Sequence, residues 1–121
     1  MAKKILVVDD EPVIVKVVAS RLKANGYDVI SAADGQEALT VARAEKPDLI
    51  ILDVMLPKMD GYRVCSLLKF DDHFKKIPIL MFSARVQEED KQRGIEAGAD
   101  DYMVKPFDPK VLLEKIEALL K

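Results

Sequence analysis

The sequence predicts an α/β fold, a parallel sheet of five strands covered by helices on both faces. Three observations lead there. Five short apolar runs alternate with five segments of helical spacing. The first, third and fourth runs are apolar on consecutive positions, the pattern of strands buried on both faces. The chain has 121 residues, enough for one domain with one core, so a single domain over 1–121 is expected.

Lys4–Val8 is rich in β-branched residues and reads as the first strand. Val13–Asn25 follows as a helix, with Ile14, Val17, Val18 and Leu22 at helical spacing, Pro12 suited to its first turn and Gly26 as its stop. Asp28–Ser31 is a brief second strand. Asp34 then caps a helix that runs to Glu45, with Glu37 three residues on in the capping-box position. Asp48–Asp53 is the third strand, and Gly61–Lys69 the third helix. Ile77–Phe82 is the fourth strand, with Pro78 tolerable near its start. Glu88–Ala97 is the fourth helix, ended by Gly98; its only large apolar residues are Val86 at its edge and Ile95. A helix with so little to bury is expected to be the most easily displaced element. Asp101–Val104 is the fifth strand, and Pro109–Leu120 a final helix with Leu112, Leu113, Ile116, Leu119 and Leu120 on its buried side.

Composition removes several functional classes. A single cysteine excludes a disulfide framework, and Cys65 beside Val64 and Leu68 reads as a small core residue. The apolar fraction of 50% is too high for a disordered chain. No apolar run is long enough to span a bilayer, and the N-terminal run is cut short by two aspartates without a cleavage site. The expected compartment is therefore the cytoplasm. A net charge of −2 gives no general attraction to nucleic acid or anionic membrane. A DNA-binding role would need a separate domain.

In open α/β sheets the functional crevice lies beyond the carboxyl ends of the strands. The first strand ends in Asp9-Asp10-Glu11, the third in Asp53, the fourth in Ser83 and the fifth in Lys105-Pro106. If the first and third strands are neighbours, three aspartates crowd one space. Two carboxylates about 4 Å apart repel by roughly 4 kcal/mol at an effective dielectric near 20. A divalent cation is the simplest remedy, and oxygen-only ligands suit Mg²⁺. A carboxylate beside Mg²⁺ is also a possible nucleophile toward phosphorus. Lys105 would neutralise charge, and the Ser83 hydroxyl could donate to a phosphoryl oxygen.

VVDDEP at 7–12, LIILDVMLPKMDG at 49–61, MFSA at 81–84 and GADDYMVKPF at 98–107 together resemble the receiver domain of bacterial two-component response regulators, in the manner of the chemotaxis regulators. The resemblance covers essentially the whole chain. It implies a flavodoxin-like, doubly wound (βα)5 fold of three layers with strand order 2-1-3-4-5. It makes Asp53 the phosphoacceptor, Asp10 a direct Mg²⁺ ligand and Asp9 one that usually acts through water. The backbone carbonyl of Met55 becomes a further metal ligand. Ser83 and Lys105 contact the phosphoryl group, Lys105–Pro106 is typically a cis peptide, and Tyr102 is the switch aromatic that follows Ser83. The implied donor is a histidine kinase or phosphotransfer protein. The implied output is a remodelled surface of the fourth helix, fifth strand and fifth helix, offered to a downstream protein or a fused output domain. Such a domain catalyses only its own phosphorylation and dephosphorylation.

GADDY at 98–102, with Lys91, Asp100, Asp101 and Lys115, further resembles receivers that form a homodimer through that same face, although Val111 stands where a charged partner for Lys91 is expected. Met55 and Arg85 flank the approach of hydrolytic water, and an apolar Met55 predicts slow decay of the phosphorylated form. His73, in the polar stretch DDHFKK, reads as a loop residue without metal partners.

Two rival functions share parts of this pattern. A Mg²⁺-dependent aspartyl-phosphate phosphatase would carry a second acid at the position of Met55, and a cap insertion. A flavodoxin-like interaction module would want a Ser/Thr/Gly-rich phosphate loop where this chain has Asp-Asp-Glu-Pro.

Overall fold

The computed structural model describes residues 2–84 and 88–121. Five strands and five helices alternate along the chain: β1 (Lys4–Val8), α1 (Pro12–Ala24), β2 (Asp28–Ala32), α2 (Gly35–Glu45), β3 (Leu49–Asp53), α3 (Gly61–Lys69), β4 (Ile79–Ser83), α4 (Glu88–Glu96), β5 (Asp101–Val104) and α5 (Pro109–Leu119). The strands form one sheet in the order β2-β1-β3-β4-β5. Every pairing is parallel.

Side-chain alternation along each strand divides the core in two. Leu6, Val8, Ile50, Leu52, Ile79 and Met81 point toward α2 and α3, where they meet Ala38, Leu39, Val64, Cys65 and Leu68. Ile5, Val7, Leu49, Ile51, Leu80 and Phe82 point to the other face, against Val18 and Leu22 of α1 and Leu112 and Ile116 of α5. β3 and β4 are buried at every position. That is why their sequences are unbroken apolar runs.

Helix starts follow their side chains. Asp34 Oδ1 accepts from the N–H of Glu37 at 2.8 Å, Asp60 Oδ1 from that of Arg63 at 3.0 Å, and Asp108 Oδ1 from that of Lys110 at 2.9 Å. Glu37 returns a bond at 2.6 Å to the N–H of Ala33, one residue before the cap itself. Pro12 occupies the first turn of α1, which has no side-chain cap. Gly26 and Gly98, the two helix stops, both have positive φ.

Several element bounds shift by one residue from the sequence reading, and three details differ by more. β4 begins at Ile79 instead of Ile77, because Pro78 has no N–H for the ladder and contributes only its carbonyl, to the N–H of Ile50. Val17 fits the helical spacing yet is 51% exposed, and Val13 is 73% exposed. On α5, Leu112 and Ile116 are buried, while Leu113, Leu119 and Leu120 are only partly so. The edge of α4 at Val86 and the site flank at Arg85 lie outside the described residues.

Gly61 fixes the loop that leaves β3. Its N–H donates to the carbonyl of Val54 at 2.8 Å. A Cβ at this position would collide with the backbone carbonyl of Asp53. Gly61→Ala is therefore expected to destabilise the domain by about 1–3 kcal/mol, the usual cost of overpacking. Urea unfolding of the two proteins measures it.

Candidate functional site

The register of the sheet brings the strand ends together. Val8 pairs with Leu52 across β1 and β3, so Asp9 and Asp53 emerge side by side. Asp53 pairs with Phe82 and Ser83 with Val104, which sets Ser83 and Lys105 beyond them on the same edge. The Lys105 N–H donates to the Ser83 carbonyl at 2.8 Å, and the Lys105–Pro106 peptide is cis, as the resemblance implied.

Asp9 and Asp53 are buried, at 2% and 3% exposed, and Ser83 is fully buried; Asp10 is exposed. Asp9, Asp10 and Asp53 each offer a carboxylate oxygen, all within 4.8 Å of one another. Lys105 Nζ reaches into this group. It donates to Asp9 Oδ2 at 2.7 Å and lies 3.3 Å from Asp53 Oδ2. Glu11, which the sequence reading gave no role, lies 4.0 Å from the same nitrogen. The lysine crosses Phe82, its ammonium 5.1 Å from the ring centre, and Phe107 packs edge-on against that ring. Apolar walls around a lysine stem steer its charged end toward the acids.

Backbone groups complete the cradle. Asp9 Oδ1 accepts from the N–H of Glu11 at 2.9 Å, and Asp53 Oδ1 from that of Met55 at 3.3 Å. The Met55 side chain is 56% exposed at the mouth of the site.

Electrostatics follow from the crowding of these groups. Burial, followed by the negative charge of Asp9, holds the Asp53 carboxyl above its ordinary range, against the pull of Lys105 and the Met55 N–H. Lys105 is held above its own ordinary range. Burial works against its charge, but the bond to Asp9 and the charges of Asp53 and Asp9 outweigh that. Three carboxylates and one ammonium leave two negative charges uncompensated. Hard oxygen donors in this number and spacing fit a divalent cation of the Mg²⁺ type.

The other candidates fall as follows. Tyr102 is half-buried on β5, against α4 at Gly94. Cys65 is buried, with its thiol pushed up to about 12 by burial, and stands apart from the acids as a core residue. His73 lies on an exposed turn, where its backbone N–H donates to Asp71 Oδ1 at 2.9 Å and its Nδ1 lies 3.3 Å from the same oxygen. Sequence reasoning gave no role to Tyr62, which is 7% exposed in the first turn of α3 and donates to the carbonyl of Asp90. Its one legible signal was its place directly after Gly61.

Comparison with known proteins points one way. Residues 5–117 match the response regulator receiver domain family. The chain is 54% identical over its full length to the alkaline phosphatase synthesis transcriptional regulatory protein PhoP of Bacillus subtilis, covering 50% of that protein. It is 46% identical over 118 residues to the DNA-binding dual master transcriptional regulator RpaA of Synechocystis, covering 49% of it. The chain thus spans about half the length of the curated relatives it matches. Among solved structures, the chemotaxis response regulator CheY4 of Vibrio cholerae superposes with a TM-score of 0.93 at 38% identity, covering 99% of this chain and 100% of that one. The receiver domain of a Pseudomonas aeruginosa sensor histidine kinase, solved with magnesium in its active-site cleft, superposes with a TM-score of 0.91 at 30% identity over 99% of this chain and 98% of that one.

With divalent cations chelated, Lys105→Met is expected to cost about 3 kcal/mol of stability, since it strands two buried acids without their cation. Asp53→Asn should move the other way and raise stability, because folding disfavours the ionised form of a carboxyl held above its ordinary range. Urea midpoints in chelator measure both.

Proposed function

The chain belongs to the response regulator receiver domain family, and from that premise we propose that Asp53 is its phosphoacceptor, loaded in the presence of Mg²⁺ by a histidine kinase or phosphotransfer protein. The observation that carries this reading is the seat of Lys105 Nζ, 2.7 Å from Asp9 and 3.3 Å from Asp53 at the carboxyl edge of the sheet.

An Asp53 carboxylate oxygen attacks phosphorus, an acyl-phosphate bond forms, and the bond from phosphorus to the donor nitrogen breaks. Asp9, Asp10, Asp53 and the Met55 carbonyl are the residues that would hold the metal, Asp9 through water; when bound, Mg²⁺ supplies charge neutralisation for the transferred group. Lys105 can transfer its contact from the Asp53 carboxylate to a phosphoryl oxygen without leaving Asp9. The Ser83 hydroxyl supplies a donor to another of those oxygens. Catalysis here is positioning and charge compensation, which four strand ends provide together. We assign no external metabolite as substrate.

The new dianionic group biases the face built from α4, β5 and α5, with Ser83 and Tyr102 as the moving parts. That face is the proposed surface for a downstream protein, a fused output domain or a second copy. Two of its acids are already engaged within the chain: Asp100 with Lys69 at 2.9 Å and Asp101 with Lys115 at 3.0 Å. Dimerisation through these acids therefore requires re-pairing, and Val111, 38% exposed, adds an apolar contact in place of a charged one. Among the described residues no helix is long and apolar enough to cross a membrane.

Intact-protein mass spectrometry with acetyl phosphate tests the reading. One phosphoryl group should be gained with Mg²⁺, none in chelator, and none in Asp53→Ala. Loading of Asp53→Ala, or loading independent of Mg²⁺, would contradict it. In the same experiment Met55→Asn should lose its phosphoryl group faster than the parent, because an amide at the mouth of the site can orient water; equal or slower loss removes Met55 as a determinant of lifetime.

A further inference from the structure

α4 is held to the domain by little apolar burial. Among its described side chains, Ile95 is 67% exposed, and the buried positions are Asp90 and Gly94, with Ala97 just past the helix end. What it rests on is a pair of tyrosines. Tyr62 of α3 donates its phenol hydrogen to the Asp90 carbonyl at 3.2 Å. Burial first, and then the neighbouring phenol of Tyr102, pushes the Tyr62 hydroxyl up to about 12. The guanidinium of Arg93 lies 4.3 Å from the centre of the Tyr62 ring. Gly94 faces the Tyr102 ring so closely that a Cβ there would sit 3.4 Å from it. Asp90 and Gly94 are one turn apart and share a helix face. That face is seated on Tyr62 and Tyr102 together.

The other end of Tyr62 is anchored in the acceptor loop. Its neighbour Gly61 bonds to Val54 and lies against the carbonyl of Asp53. The acceptor backbone, Gly61, Tyr62 and α4 thus form one contiguous set of contacts. We propose that Tyr62 is a positioning residue of the switch: its hydroxyl ties the acceptor loop to α4, beside Tyr102, and holds that helix in its resting place. This rests on Asp53 being the acceptor and Tyr102 a moving part. The tie favours the resting arrangement, so its removal should populate the switched one before any phosphoryl group arrives. A mimic that binds the switched arrangement better then binds more tightly, in proportion to the population released.

Tyr62→Phe removes the hydroxyl and keeps the ring under Arg93. Two measurements on it decide the matter. In unloaded protein, amide hydrogen exchange along α4 should quicken by about five-fold, the equivalent of one ordinary hydrogen bond, while the amides of β1 and β3 keep parental rates. In a beryllofluoride titration with Mg²⁺, followed by amide NMR shifts, the apparent affinity should rise by a similar factor. Tyr102→Phe should act in the same direction, and the double variant should gain less than the sum. Parental exchange along α4, or a uniform rise that includes the core strands, would overturn the proposal, the latter by marking Tyr62 as ordinary packing. Quicker α4 exchange with unchanged or weaker mimic affinity would overturn its role in switching. A parent that takes up no beryllofluoride would instead defeat the acceptor reading and the switching role that rests on it, while the exchange measurement still decides whether Tyr62 ties α4.

Discussion

Crowding of like charge at the carboxyl edge of the sheet is the constraint on which the rest of the structure depends. Asp9 and Asp53 are both buried, and Asp10 stands at the rim beside them. Lys105 answers one charge fully and a second in part, through contacts of 2.7 and 3.3 Å. Nothing in folding alone favours such a group, since buried ions lose more in desolvation than a single partner restores. The arrangement makes sense as a receptor for a divalent cation and, on the proposed reading, a phosphoryl group.

The scaffold is organised to keep that cluster in place. Two apolar layers grip β3 and β4 at every residue, so Asp53 and Ser83 stand at the ends of fully buried strands. Parallel register carries β1 and β5 to the same edge, which delivers Asp9 and Lys105 from distant parts of the chain. Gly61 lets α3 begin directly against the Asp53 carbonyl, and α3 then carries Tyr62 to α4. The two apolar layers hold the charged cluster, while α4, with no large buried apolar side chain among its described residues, is tied on by the Tyr62 hydroxyl and one guanidinium. A perturbation at the acids therefore has a short path to the least anchored surface.

Much of this was legible in the residues. Consecutive apolar positions in LVV, IIL and ILM marked the central strands, because burial on both faces leaves no room for alternation. The acids and the lysine were visible because each stops an apolar run. Strand order was not derivable from periodicity and came with the family resemblance. Helical spacing placed Val17 on the inner face, yet α1 turns it half outward, since spacing fixes a stripe and not its width. The tighter contact of Lys105 with Asp9 than with Asp53 depends on loop paths that no pattern encodes. Tyr62 read as one more helical residue, because its hydroxyl finds its partner 28 positions away.

The most direct test of the central claim is the dependence of unfolding free energy on Mg²⁺ at constant ionic strength, in the parent and in Asp10→Asn. If the cluster is a cation seat, the parent gains stability with Mg²⁺ as binding linkage requires, about 2.7 kcal/mol at a hundred-fold excess over the dissociation constant. Asp10→Asn should need much more Mg²⁺ for the same gain. A parent whose stability is the same in Mg²⁺ as in monovalent salt of equal ionic strength would contradict the account.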